Sequence, residues 1–127
     1  MDQEVKPMDQ EIKQQWVDTL RFGNYPQTVK SLQDDNGYCC LGVLCELAVK
    51  AGIIPAPVYA ADDGISGTKV WHYDDDFTVV LPYRVSQWAG LPTDNPVIDP
   101  DNGKTAINCN DNGQSFSDIA DLIQKNL

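Results

Sequence analysis

The sequence predicts a small α+β domain, in which about three further helices and a short antiparallel β-hairpin or small sheet surround a buried central helix. The central helix is predicted because residues 38–51 (YCCLGVLCELAVKA) are almost wholly apolar. Gly42, Glu46 and Lys50 fall on one narrow stripe of this helix, so every other direction must face protein. Elsewhere, apolar residues recur at helical spacing near both ends, and β-branched and aromatic residues flank an acidic turn.

The size and composition of the chain predict one domain over residues 1–127, with a loose arm at residues 1–8. A hydrophobic fraction of 42% and a charged fraction of 22% are typical of a globular protein. The apolar run at 38–51 is shorter than the roughly 20 residues that span a bilayer, so we expect no membrane insertion. Residues 1–15 lack a basic stretch followed by an apolar one, which predicts a cytoplasmic protein without a signal peptide.

The formal net charge of −10 restricts the expected partners. Direct binding to nucleic acid or to an anionic membrane is disfavoured, because both carry negative charge themselves. A basic partner is permitted, and an acidic inhibitor that mimics DNA is one alternative. The acidic residues are scattered along the chain, which makes this mimicry the weaker alternative.

The first helix is predicted over residues 10–22, with Asp9 as its N-cap and Gly23 at its end. Apolar residues recur on one face of this helix, at Ile12, Trp16, Val17 and Leu20. That face is expected to help cover the central helix.

The central helix is predicted to follow a turn and capping cluster at residues 34–37 (DDNG) and to stop at Gly52. Within it, Gly42 costs about 1 kcal/mol relative to alanine. Such an unfavourable residue indicates close approach of another backbone or of a ligand, although drift at a surface position would explain it equally well.

A β-hairpin is predicted from residues 69–73 (KVWHY) and 77–81 (FTVVL), joined by an acidic turn at 74–76. Because two strands alone are marginally stable, the hairpin must pack on helices or recruit a third strand. The preceding residues 53–67 are expected to be irregular, with four apolar residues packed as a lid on the core: Ile53, Ile54, Val58 and Tyr59.

Two more helices complete the predicted fold. One covers residues 81–90 and ends at Gly90, and the last begins at Ser115 in an S-x-x-D pattern that resembles a capping box. Between them, residues 92–104 are predicted as turns, and residues 105–110 suit either one helical turn or an edge strand.

The segment CCLGVLCELA at residues 39–48 carries a family resemblance, supported by residues 13–27, 81–91 and 110–123. In these segments the chain resembles a family of small, uncharacterised proteins encoded by bacteriophages and prophages, with a CCLGVLC(D/E)LA core motif. The likeness covers most of the chain and is weakest at residues 53–80. It implies a phage origin and a location in the cytoplasm of an infected bacterium, and it supplies no catalytic residues.

The cysteines are predicted to be free, buried and apolar, because Cys39, Cys40 and Cys45 point in different directions on one helix. An alternative is a papain-like or NlpC-like cysteine hydrolase, with Cys39 or Cys40 at a helix N-terminus and His72 on a strand. The leucine and valine that follow these cysteines favour burial over an open groove. The sequence therefore favours a binding protein over an enzyme.

No metal or cofactor is expected. A zinc site would need the cysteines and His72 to converge from separate elements, because no CxxC pair occurs. Residues 108–113 (NCNDNG) resemble the opening of an EF-hand calcium loop, but Ile119 stands where the final glutamate should be. This segment is predicted as a turn.

Aromatic, basic and amide side chains form the candidate ligand- or partner-binding set: Trp71, Tyr73, Tyr83, Arg84, Trp88, Asn108, Asn110 and Asp111. Such groups suit a nucleotide-like small ligand or a protein hot spot, although core and turn positions would explain the same residues. The sequence predicts a phage-encoded, non-enzymatic binding protein that acts in counter-defence. It would bind a host protein or sequester a small nucleotide-like signal, and a homo-oligomer is left open.

Overall fold

The computed structural model describes residues 7–60 and 70–127, and it confirms the predicted α+β class. The helices of this part are α1 (Gln10–Phe22), α2 (Cys40–Lys50), α3 (Tyr83–Ala89), α4 (Ala106–Asp111) and α5 (Phe116–Asn126). Its strands are β1 (Gln33–Asp34), β2 (Gly37–Tyr38), β3 (Val58–Ala60), β4 (Val70–His72), β5 (Val97–Asp99) and β6 (Lys104–Thr105). No helix in the described ranges is long and apolar enough to cross a membrane.

Helix α2 lies at the centre of the core, as predicted. Its buried residues are Cys40, Leu41, Gly42, Val43, Leu44, Cys45 and Ala48. Helices α1, α3 and α4 all pack against it, and α5 packs on α1. Of the predicted stripe of Gly42, Glu46 and Lys50, Glu46 is partly exposed and Lys50 is exposed, whereas Gly42 is buried.

Gly42 marks the close approach of another backbone, which confirms one of its two predicted explanations. The carbonyl oxygen of Leu32 would lie only 1.9 Å from a Cβ atom added at Gly42. The same oxygen accepts a hydrogen bond from the backbone N–H of Cys39 (3.1 Å), so the chain before β1 sits directly on the first turn of α2.

Helix α1 begins and ends where the sequence predicted. The Asp9 carboxylate accepts a hydrogen bond from the backbone N–H of Ile12 (3.0 Å), which caps the helix. The fully buried Trp16 donates its indole N–H to the carbonyl oxygen of Cys40 (2.9 Å). This bond joins α1 to the start of α2.

The predicted loose arm at residues 1–8 is too long. Residues 1–6 lie outside the described residues, but Met8 is only 3% exposed. The backbone N–H of Asp9 donates to the carbonyl oxygen of Ala89 (2.9 Å), and Gly90 packs against Met8 and Asp9. The end of α3 therefore holds this segment in place.

The main sheet has the strand order β2-β1-β4-β3, and all of its neighbours are antiparallel. The prediction of a strand over residues 77–81 is wrong, because pairing stops after one bridge between Tyr73 and Phe77. Strands β1 and β3 pair with the two sides of β4 instead. Lys69, at the start of the predicted hairpin, lies outside the described residues.

The segment 53–67 contains a strand that the sequence did not predict. Residues 58–60 form β3, and residues 61–67 lie outside the described residues. Ile54 is buried, but Val58 and Tyr59 are exposed by 65% and 41%. Ile53 and Ile54 therefore pack on the core as expected, whereas Val58 and Tyr59 do not form a lid.

The C-terminal half corrects one prediction and resolves another. Residues 92–104 are not turns throughout, because Val97–Asp99 pairs with Lys104–Thr105 as β5 and β6. The ambiguous residues 105–110 are mainly helical, since α4 begins at Ala106 with a capping box between Thr105 and Asn108. This helix makes four helices around α2 rather than about three.

Helices α3 and α5 follow their terminal signals. Gly90 adopts the left-handed conformation (φ 74°) that ends α3, and Pro82 precedes its first turn. The Ser115 side chain accepts a hydrogen bond from the backbone N–H of Asp118 (3.1 Å), which caps α5.

Candidate binding surface

The residues predicted as a binding site lie on three separate elements. Trp71 is in β4 with Tyr73 just after it; Tyr83, Arg84 and Trp88 are in α3; and Asn108, Asn110 and Asp111 are in α4. The three groups make different contacts, and the described contacts do not join them into one pocket.

Asn110 is a fully buried connection between α4 and the N-terminal half of the chain. Its Oδ1 accepts hydrogen bonds from the backbone N–H of Cys40 (3.2 Å) and from Nε2 of Gln27 (3.0 Å). Its Nδ2 donates to the carbonyl oxygen of Thr28 (2.7 Å). One of the first N–H groups of α2, which has no partner within the helix, is satisfied in this way.

The other two residues of the α4 group also make local structural bonds. Asn108 completes the capping box with Thr105. Asp111 accepts a hydrogen bond from the backbone N–H of Lys30 (2.9 Å). These contacts explain the polar residues at positions 108–111 without any ligand.

Arg84 ties α3 to the turn after β4. Its guanidinium donates to both carboxylate oxygens of Asp74, and this pairing holds the pKa of Asp74 below its usual range. Asp74 and Asp75 both have a left-handed backbone (φ 48° and 81°), which produces the tight turn. Arg84 therefore already has an intramolecular partner.

Tyr83 lies at a cleft of about 350 Å³ between α3 and the loop that follows it. Tyr83 is 67% exposed, and Phe77 and Asp94 line the same cleft. Trp88, by contrast, is partly buried against the core. A second, more apolar cleft of about 300 Å³ shares residues 91–93 with the first.

Side chains from all four strands of the main sheet share one face. Tyr38 lies opposite Gln33 in β2 and β1, and Trp71 lies opposite Tyr59 in β4 and β3. Strands β1 and β4 pair at Asp34 and Val70, and continuing this antiparallel register by one residue sets Gln33 opposite Trp71. Because opposite residues in antiparallel strands point to the same face, these four side chains form one line across the sheet.

We use the term aromatic row for the three aromatic side chains of this line together with a neighbouring tyrosine: Tyr38, Trp71, Tyr59 and Tyr25. Tyr25 extends the line beyond Tyr38, with 4.9 Å between ring centroids in an edge-on arrangement. The Tyr59 and Trp71 centroids are 4.6 Å apart. Tyr59 is 41% exposed, whereas the other three are partly buried against the core, so Tyr59 is the most exposed member of the row.

Tyr73 follows β4, two residues after Trp71, and is itself fully buried. Its hydroxyl donates to Oε2 of Glu46 (2.6 Å) and lies 2.8 Å from Oε1 of Gln33. Burial, followed by the hydrogen bond to Glu46, raises the pKa of Tyr73, which keeps the phenol protonated as a donor. Tyr73 therefore positions neighbours of the row and does not offer its own ring.

All four cysteines are free and buried, as predicted. Burial raises the pKa of the Cys39 thiol to about 11, and burial also raises the pKa of Cys40 well above its ordinary value. The Cys40 thiol donates to the carbonyl oxygen of Ala106 (3.6 Å). A nucleophile needs the thiolate form, so this environment disfavours the hydrolase alternative with His72.

We expect iodoacetamide to label the native protein at less than about one-tenth of the rate of free cysteine at pH 8, because burial keeps the thiols protonated and inaccessible. Mass spectrometry of the peptides that contain Cys39 and Cys40 measures the rate. Unfolding in guanidinium should restore full labelling and serves as the control. A native thiol that reacts as fast as free cysteine would revive the hydrolase hypothesis.

Metal ligands are not grouped in the described part of the chain. No set of three or more histidine, cysteine, aspartate or glutamate side chains there could hold a metal ion. Residues 108–113, which resemble an EF-hand opening, are mostly within α4 rather than in a loop.

Sequence reasoning missed three members of the aromatic row. Tyr59 was expected to cover the core, Tyr38 to start the central helix, and Tyr25 to lie in a turn. Alternation in strands as short as two or three residues is too brief to indicate which side chains share a face. The row depends on strand pairing, and Trp71 was the only member that local composition indicated.

Comparison with known proteins identifies a family that covers most of the chain. A family model described as "Domain of unknown function (DUF8296)" matches residues 8–127. No curated protein and no solved structure matches the chain.

Proposed function

The chain belongs to the DUF8296 family, a domain of unknown function, and we propose that it is a non-enzymatic binding protein whose aromatic row takes a protein partner. One observation supports this most strongly: two pairs of contacting aromatic side chains, Tyr25 with Tyr38 and Trp71 with Tyr59, lie along one face of the sheet and its border, with β1 between the pairs. Aromatic residues are enriched at interface hot spots, where each supplies a large contact area at low entropic cost.

The charge around the row favours a protein over a nucleic acid or a phosphate-bearing ligand. Sheet aromatics also stack on bases, but such sites combine them with a positively charged groove. Here the hydroxyl of Tyr59 donates to the Asp35 carboxylate (2.6 Å), and Glu46 lies next to Tyr73. With a net charge of −10, phosphates would be repelled.

The partner is proposed to be a bacterial host protein. The resemblance of residues 39–48 to phage and prophage proteins supports a phage origin, a cytoplasmic location and a counter-defence role. A second copy of this chain would bring the same negative charge to the row, which disfavours a homo-oligomer formed through it.

We expect Tyr59→Ala to weaken the binding of a host protein at least about tenfold, the loss that corresponds to about 1.4 kcal/mol. The partner is first identified by crosslinking the wild-type chain in a host lysate, and the affinity is then measured with both proteins purified. Tyr83→Ala is the matched control, because it removes an even more exposed tyrosine outside the row. Equal losses from the two substitutions would contradict a role for the row.

A small nucleotide-like ligand is the second candidate, and the cleft beside Tyr83 favours it. Its volume of about 350 Å³ falls within the range of small-molecule sites. The carboxylate of Asp94 lines the same cleft and opposes a phosphate, which ranks this candidate second. Mass spectrometry of molecules released from the denatured protein tests it: a nucleotide retained by wild type and lost in Tyr83→Ala would favour it.

An acidic DNA mimic is supported by net charge alone. Its test is competition with DNA for a host DNA-binding protein. If the chain displaces DNA and Tyr59→Ala displaces it equally well, mimicry would replace the role of the aromatic row.

A further inference from the structure

We propose that the cleft beside Tyr83 is a binding site for a small organic cation, that is, an ammonium or guanidinium group on a short alkyl chain. The cleft is not part of the aromatic row, so this inference goes beyond the proposed binding of a host protein. Three observations support it: a carboxylate that lacks a partner, aromatic and acceptor groups beside it, and walls that backbone hydrogen bonds hold in place.

Asp94 is the only charged residue among the nine that line the cleft. It is exposed, and within residues 7–60 and 70–127 no hydrogen bond or ion pair engages its carboxylate. Arg84 directly follows Tyr83 but does not line the cleft, and its Nε donates to the Asp74 carboxylate instead (3.0 Å). The cleft therefore presents a negative charge that no described side chain neutralises.

Aromatic and acceptor groups accompany this carboxylate. Tyr83 and Phe77 both line the cleft, and a cation within about 6 Å of either ring centroid would gain a cation–π attraction. Gln87 donates its Nε2 to the Tyr83 hydroxyl (2.9 Å), which leaves the Gln87 side-chain oxygen as an acceptor for a ligand N–H. This set of groups suits a cation that carries several N–H donors better than a phosphate, which carries negative charge and acceptor oxygens.

Backbone hydrogen bonds fix the walls of the cleft. The N–H of Leu91 donates to the carbonyl oxygen of Ser86 (2.9 Å), which folds the loop after α3 back onto that helix. The N–H of Leu81 donates to the carbonyl oxygen of Asp94 (3.1 Å), which joins the loop to the segment before α3. A cleft that is already formed lowers the ordering cost of binding. Its volume of about 350 Å³ is near the lower end of small-molecule sites, so the ligand is expected to be small.

Agmatine, which carries a guanidinium and an ammonium group on a short alkyl chain, is the probe, and isothermal titration calorimetry at low salt measures its affinity for the full chain. We expect Asp94→Asn to weaken binding at least about tenfold, because it removes the charge and keeps the shape. Asp101→Asn is the matched control, since it removes the same charge from an exposed position that does not line the cleft. It should change the affinity less than about twofold, because distant exposed charges are screened.

A second variant tests the aromatic contribution. Tyr83→Leu should weaken agmatine binding about fivefold, because it removes one ring from the cleft and leaves the Asp94 charge in place. Circular dichroism of the variants checks that each is folded. An unchanged affinity in folded Tyr83→Leu would overturn the placement of the cation beside this ring.

The remaining outcomes each decide the proposal. No detectable binding of agmatine to the wild-type chain would overturn the site, and so would equal losses in Asp94→Asn and Asp101→Asn, which would show only a general effect of net charge. Tighter binding of adenosine monophosphate would overturn the cationic chemistry and favour the second candidate function. Tighter binding of a capped arginine peptide would overturn a free small molecule as the ligand. The aromatic row is tested separately by Tyr59→Ala, so either proposal can fail without the other.

Discussion

Gly42→Ala is expected to lower the free energy of unfolding by about 3 kcal/mol or more, near or beyond the upper end of typical overpacking costs. At an ordinary helix position the same change stabilises by up to about 1 kcal/mol. Here the added Cβ would lie 1.9 Å from the backbone oxygen of Leu32, and no side-chain rotation can relieve a clash with a backbone atom. Urea denaturation followed by circular dichroism measures the difference.

Gly52→Ala is the matched control for this prediction. Gly52 has a left-handed backbone (φ 79°), but no atom lies within 4 Å of an added Cβ. Its substitution should cost only about 1–2 kcal/mol of backbone strain. If Gly42→Ala costs no more than Gly52→Ala, the segment at Leu32 moves away easily and does not restrain α2.

Asn110→Ala is expected to lower the free energy of unfolding by about 2–4 kcal/mol. The substitution removes three hydrogen bonds and leaves the Cys40 N–H and the Thr28 carbonyl without the partner that Asn110 provides. A buried polar group without a partner costs about 1–3 kcal/mol, and two are created here. Urea denaturation of the purified variant measures this loss.

Asn108→Ala provides the comparison within the same helix. Asn108 is exposed and contributes only to the capping box with Thr105, so its loss should cost about 1 kcal/mol. Similar losses from the two substitutions would show that water replaces Asn110 as a partner. That result would remove the proposed connection between α4 and the start of α2.

The helices were the most predictable part of this protein. The structure reproduces the helix ends that were predicted from Asp9, Gly90 and Ser115. These ends are predictable because a capping side chain or a left-handed glycine acts only on residues close to it in the sequence. The apolar run at 38–51 was sufficient to identify α2 as the buried centre. The resemblance to an uncharacterised family is confirmed at that level, and phage origin stays a prediction.

The candidate surface was predictable only in part. Trp71 was predicted as a binding residue and belongs to the aromatic row. The polar residues at 108–111 were predicted as binding residues too, but their side chains make hydrogen bonds within the fold. Asn110 is indistinguishable in sequence from a ligand-binding amide, since its partners Gln27, Thr28 and Cys40 are about 70 or more positions away. A pattern of local residues cannot indicate a partner so distant in the chain.

By itself, the sequence determined the buried helix, the ends of its neighbours and the burial of the cysteines, because periodicity, capping and apolar surroundings are local properties. Only the tertiary structure decided the strand partners. Strand β4 pairs with β1 and β3 instead of residues 77–81, and a strand exposes the same backbone groups to any partner that reaches it. That choice aligns Tyr38, Trp71 and Tyr59 on one face and creates the aromatic row.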